Sequence, residues 1–160
     1  MNATKTIRRT AVSAVLVLFT IALINLKPAS AQEWSLQQVA AKGTYAETVA
    51  KVKKGIAKGG MMVLGEINQG KILSMTGLKL KAVSLFIGNP TMGKKLFSAD
   101  PGVGIAVPVR VNIFEGKNGK VYVNYVKPSV QLAPFQNKAV IMAGSKLDQK
   151  LGKLLSMLAK

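Results

Sequence analysis

Val83-Ser84-Leu85-Phe86-Ile87-Gly88-Asn89-Pro90 (residues 83–90) is the stretch whose reading decides the fold. From Val83 to Ile87 the only polar relief is one serine hydroxyl, the pattern of a strand with neighbours on both sides. Asn89 is then a good helix N-cap, and Pro90 suits the first helical position, where its missing N–H costs nothing. Thr91 to Phe97 reads as a short basic helix, ended by Ala99-Asp100-Pro101-Gly102. The rest of the chain reads as packing around this strand-to-helix corner.

Upstream, Gln37 to Ala41 predicts a first edge strand, and Thr44-Tyr45-Ala46-Glu47 has the form of a capping box. Tyr45, Val49, Val52 and Ile56 then make one apolar helical stripe, with Gly59-Gly60 as the stop. Met61 to Ile67 is a strand between glycines; Asn68-Gln69-Gly70 reads as a turn and residues 71–76 as a short helical or irregular link.

Downstream, Gly104 to Phe114 alternates, with Ile105, Val107, Val109, Val111 and Ile113 on one face. Ala106, Pro108, Arg110, Asn112 and Phe114 fall on the other, and Pro108 implies an edge or a bulge at that point. Pairing Glu115 with Val121 keeps the apolar faces together and puts Ile113 opposite Val123. It leaves Lys117-Asn118-Gly119 as a three-residue hairpin loop with Gly119 left-handed. After Pro128 and a connector, Asn137 to Leu158 predicts a long helix whose inner face is Val140, Gly144, Leu147, Leu151, Leu154 and Leu158. The expectation is one α+β domain, an antiparallel sheet with its helices gathered on one face.

Composition narrows the chemistry. The 160 residues hold 23 Lys and Arg against 6 Asp and Glu, with neither Cys nor His. Disulfides, thiolate nucleophiles, Cys- or His-ligated metals and histidine acid–base catalysis are excluded. Residues 1–31 read as an export signal: Lys5, Arg8 and Arg9, then a mostly apolar run from Ala11 to Leu26, then Ala29-Ser30-Ala31 as a cleavage site. That run is shorter than the about 20 residues that span a bilayer, which favours a signal over an anchor. Cleavage after Ala31 also removes Lys27, so the formal charge of +17 falls by four to +13. A basic domain in the periplasm or outside the cell meets anionic headgroups, surface polymers and small anions, and no nucleic acid partner is expected there. Dispersed lysines that only confer solubility are the plainer alternative.

Tyr45-Ala46-Glu47-Thr48-Val49, Gly60-Met61-Met62-Val63-Leu64, Phe86-Ile87-Gly88-Asn89-Pro90, Val107-Pro108-Val109, Gly119-Lys120-Val121 and Asn124-Tyr125 together resemble domain-of-unknown-function family 302, over about residues 37–158. The resemblance implies a small fold similar to the TATA-binding-protein-like β-α-β4-α arrangement, a tendency to form homodimers, and no established activity. Many relatives carry Asp-His where this chain has Asn68-Gln69, and an acid where it has Ala106. If those residues form a site in relatives, Asn68 and Gln69 are its remnant here.

Several readings of function follow. The first is a non-catalytic module that binds a small anionic ligand or another envelope protein, where Asn89 and Thr91 open a helix and Lys94 and Lys95 lie one turn on. Arg110 with Asn112, Tyr122 and Asn124 forms a second polar patch. Against these stand a plain cap with solvated lysines and the wetter face of a sheet. The second reading is association of the whole basic surface with an anionic membrane or polymer. An enzyme is the weakest reading, because Glu33, Glu47, Glu66, Asp100, Glu115 and Asp148 form no pair at a useful spacing. Glu47 reads as a cap and Asp148 as a helix-surface charge, which leaves Glu66, beside Asn68, as the acid to watch. A structural subunit acting through dimerisation is the remaining reading, and no cofactor or metal is expected.

Overall fold

A computed structural model describes residues 35–159. The expected export signal and its cleavage point lie outside the described residues. Strand β1 (Leu36–Ala41) leads through a glycine turn into helix α1 (Tyr45–Lys58), followed by β2 (Met62–Ile67), α2 (Gln69–Ser74) and β3 (Ala82–Gly88). Helix α3 (Pro90–Ala99) and a 3₁₀ turn (Pro101–Ile105) precede β4 (Val109–Glu115) and β5 (Val121–Val126). Helix α4 (Pro128–Leu132), a second 3₁₀ turn (Ala133–Phe135) and helix α5 (Lys138–Ala159) complete the chain. The five strands form one antiparallel sheet in the order β1-β5-β4-β3-β2.

Local chemistry sets most of these boundaries. The Glu47 amide donates to the Thr44 hydroxyl at 3.3 Å while the Thr44 amide donates to the Glu47 carboxylate at 2.8 Å, so the capping box is complete. Those contacts with Thr44 hold the exposed Glu47 carboxyl below its usual range. In the hairpin, Glu115 pairs with Val121 and Ile113 with Val123, and Gly119 has φ +73°. The Gly116 amide closes the loop on the Lys120 carbonyl at 2.8 Å.

One face of the sheet is covered. Val83, Leu85 and Ile87 of β3 lie level with Ile113, Val111 and Val109 of β4, and Val121 and Val123 continue the layer on β5. Val52 and Ile56 of α1, Leu96 of α3 and the predicted inner stripe of α5 close over it. Burying each such side chain is worth roughly 1.5–3 kcal/mol, so this layer dominates the fold's stability. The other face carries Ser84, Phe86, Arg110, Asn112, Phe114, Tyr122 and Asn124, with the Phe114 and Tyr122 rings stacked at 5.4 Å.

Several local expectations are corrected. The alternation beginning at Gly104 does not start a strand: Pro108 offers no donor, so the ladder begins at Val109, and Ile105 sits in the 3₁₀ turn at 88% exposure. Pro108 stands just before the strand and marks no bulge, and Val109 to Val111 pair only with β3, so this end of β4 has one open side. β4 is the central strand, and the bulge lies in β2, between Val63 and Gly65. Asn68-Gln69-Gly70 is the start of α2, because the Asn68 side chain accepts from the Lys71 amide at 2.8 Å. α2 also departs from the one-sided helix layer, since Gln69 reaches Ser84 on the opposite face. Asp148 is no mere surface charge: its carboxylate accepts from the Ser129 amide at 3.2 Å and from the Ser129 hydroxyl, and so anchors the start of α4.

The two glycines of α5 differ for a physical reason. A Cβ on Gly144 would lie 2.8 Å from the Ser129 Cα, whereas one on Gly152 would meet nothing within 4 Å. Gly144→Ala should destabilise by about 1–3 kcal/mol, and Gly152→Ala should stabilise by up to about 1 kcal/mol, in urea titrations. Tyr125 supplies a pH test. Its burial, with the Asp148 carboxylate, pushes the phenol from 10 up to about 12. The unfolded chain ionises first, so this contribution is intact below pH 10 and is lost as pH rises towards 12. Stability of Tyr125→Phe should fall less than wild type across that window.

Candidate functional site

Five of the predicted site residues fall into two clefts on opposite faces of the sheet: Asn89, Thr91 and Lys95 in one, Gln69 and Arg110 in the other. The first, about 600 Å³, lies between α3 and α5. Thr91, Met92 and Lys95 come from α3, and Met142, Lys146 and Lys150 from α5, over a floor that includes Leu96 and Ala143. Lys94 is exposed and stands outside it.

Asn89 also lines this cleft, but its side chain is spent on structure. Its oxygen accepts from the Met92 amide at 3.0 Å, and its amide group donates to the Gly60 carbonyl at 2.8 Å. The Gly93 amide already bonds the Asn89 carbonyl at 2.8 Å, and Pro90 has no N–H. The α3 N-terminus therefore offers an incoming anion little more than the Thr91 amide. The positive character of the cleft comes instead from lysines. Lys150 donates to the Gly59 carbonyl at 2.6 Å and is partly committed, which leaves Lys95 and Lys146 as the free ammonium groups on facing walls.

Lys146 and Lys150 were missed as site residues by sequence reasoning, which read only the apolar stripe of that helix. The signal was present in their spacing. Met142, Lys146 and Lys150 recur every fourth residue beside Ala139 and Ala143, whose small side chains leave room between two helices.

The second cleft, about 560 Å³, lies on the uncovered face around Arg110, Asn112 and Asn124. Gln69 and Ala106 meet there, although 37 positions separate them in the chain. Asn68 does not join them; it caps α2. The Asn112 amide donates to Asn124 at 3.3 Å, and the Asn124 amide donates to Gln38 at 3.0 Å, so three strands are linked across this face. Tyr122 lies apart, accepting from Asn118 at 2.9 Å.

Every described carboxylate has a structural partner. Glu47 caps α1, Glu66 pairs with Lys53 at 2.6 Å, and Glu115 pairs with Lys81 at 3.0 Å. Asp100 accepts from the Gly102 amide at 2.7 Å, and Asp148 holds Ser129. None lines either cleft, and among the described residues no group of acids could hold a metal ion. Both clefts therefore present cations and amides without an opposing negative charge.

Over residues 37–158 the sequence matches the domain of unknown function DUF302. The fold is shared with the crystal structure of an uncharacterized conserved DUF302 protein from Bacillus stearothermophilus, at a TM-score of 0.70 and 18% identity. The match covers 77% of this chain and 97% of that one. No curated protein matches the sequence.

Asn89 is thus predicted to act on stability before ligand binding. Asn89→Ala should cost about 1–2 kcal/mol through the lost cap and the lost tie to Gly60. Asn89→Asp, which keeps the cap but not the donor to Gly60, should cost less; thermal melts of the two variants check this ordering.

Proposed function

The chain belongs to the DUF302 family, and on that premise we propose that it is an exported, non-catalytic binding module for a small anionic ligand. The observation that carries the reading is the cleft between α3 and α5, where Lys95 and Lys146 face each other over an apolar floor with no acid nearby. A ligand with a carboxylate or phosphate head and a short apolar body fits that lining. The ammonium groups take the charge while Met92, Leu96 and Met142 take the rest. Surface lysines act as point charges, so the attraction is long-ranged and sensitive to salt. Export follows from the basic start, apolar run and Ala29-Ser30-Ala31 step, and the reading places the mature N-terminus at Gln32. Homodimerisation, which the family resemblance implies, belongs to the same proposal.

A second reading, docking on an anionic membrane surface, has its own observation. Residues 71–81 leave Ile72, Met75, Leu78 and Leu80 between 36% and 80% exposed, interspersed with Lys71, Lys79 and Lys81. Exposed apolar residues among lysines suit the headgroup region of a bilayer. No helix among the described residues is long and apolar enough to cross one. Met75→Ser with Leu78→Ser should abolish sedimentation with anionic vesicles if this segment docks; retention by the double variant rules it out.

The cleft reading is tested by thermal shift with octanoate and inorganic phosphate. Saturating ligand should raise the melting temperature of wild type and of Lys94→Ala by on the order of 5 °C. Lys95→Ala/Lys146→Ala should lose most of that shift, as should wild type in about 0.5 M salt. Equal shifts in all three proteins would remove the site.

A further inference from the structure

We propose that the uncovered face of the sheet holds a second and chemically different site, for a small carboxylate with an N–H donor beside it: a free amino acid or the C-terminal residue of a peptide. Three observations converge on the 560 Å³ concavity there.

The first is Arg110. It stands on the central strand β4, opposite Phe86 of β3, and is the one arginine among the described residues. No described carboxylate lies within ion-pairing distance of it, and none lines the concavity. Five donors in a planar fork match the two oxygens of a carboxylate, a geometry that lysine cannot offer. Ala106 presents only a methyl group to the same space, so that position adds no acid to the lining around the guanidinium.

The second is Gln69. Its amide group donates to the Ser84 hydroxyl at 2.5 Å, while its Oε1 is buried without any hydrogen-bond partner. A buried acceptor left unmatched carries its full desolvation penalty, and such atoms in native proteins call for a partner. Gln69 lines the concavity that Arg110 lines, and an N–H next to the bound carboxylate supplies what it lacks.

The third is the ground between them. Ser84 and Asn112 are cross-strand neighbours, and Asn112 gives its N–H₂ to Asn124, keeping its oxygen for another donor. Phe86, Pro108 and Leu36 form apolar walls that suit an aliphatic side chain. The order across the site is thus cation, polar floor, orphaned acceptor, with an apolar wall alongside. That is the outline of an amino acid's carboxylate, backbone nitrogen and side chain.

The site lies on the opposite face from the lysine cleft and shares no lining residue with it, so either can fail alone. The test is an NMR titration of the purified chain with leucine, leucinamide, N-acetyl-leucine and the peptide Ala-Ala-Leu. Leucine or Ala-Ala-Leu should bind saturably and shift resonances of β3 and β4, and leucinamide should bind at least about tenfold more weakly. Preference for leucine over both acylated forms assigns a free amino acid; equal or tighter binding of those forms assigns a peptide terminus. Arg110→Gln should weaken the preferred ligand by about tenfold or more, and Gln69→Leu should weaken it while Lys95→Ala/Lys146→Ala does not. Leucinamide binding as tightly as leucine, undiminished affinity in Arg110→Gln, or no saturable shift with any of the four compounds would overturn the proposal. The leucinamide comparison uses the unaltered protein, so it holds even if a variant folds poorly.

Discussion

A sheet with only one covered face is the constraint from which the rest follows. The apolar layer of β3, β4 and β5 is closed by α1, α3 and α5, and no comparable layer exists on the other side among the described residues. An antiparallel sheet tolerates this when alternate residues differ in character, and β4 shows how it is met: Val109, Val111 and Ile113 turn inward while Arg110, Asn112 and Phe114 turn out. Charge contributes little to holding the fold. The Lys53–Glu66 and Lys81–Glu115 pairs are solvent-exposed, and pairs of that kind are worth about 0–1 kcal/mol each. The buried aliphatic layer outweighs them several times over.

The same constraint places the clefts. Where α3 and α5 pack side by side over the sheet, small alanines on α5 leave a trough walled by lysines. On the other face, the end of β3, the turn before β4 and the start of α2 rise around Arg110. With each described carboxylate already engaged in a cap or a pair, the basic excess is left uncompensated where a ligand could reach it. This chain's candidate chemistry is recognition of negative charge, since the lining of both clefts offers cations and amides and no described carboxylate.

Much of the fold was legible because it rests on local signals. The Thr44–Glu47 box, Asn89-Pro90, the Gly119 turn and the α5 stripe each report a short-range preference that tertiary packing did not overrule. The errors arose where a pattern ran past its cause. Ile105 and Val107 continue the alternation of β4, but Pro108 cuts the ladder off from them. Asp148 has the spacing of a solvated helix residue, because nothing local shows that Ser129, 19 positions before it, folds back onto it. The sites were less legible for the same reason: Gln69 with Arg110, and Lys95 with Lys146, are brought together only by the sheet and the helix layer. Asn89 is the cap its sequence context predicts, and that role itself weakens it as an anion site.

The central claim is that this protein holds small acids through cations on a rigid scaffold. Native mass spectrometry of the protein purified from its own source at low ionic strength measures that most directly. The account predicts polypeptide bearing one or more small acidic adducts, which are lost when the salt is raised before spraying. Bare polypeptide mass at every ionic strength, or an adduct that is a metal ion, would contradict it.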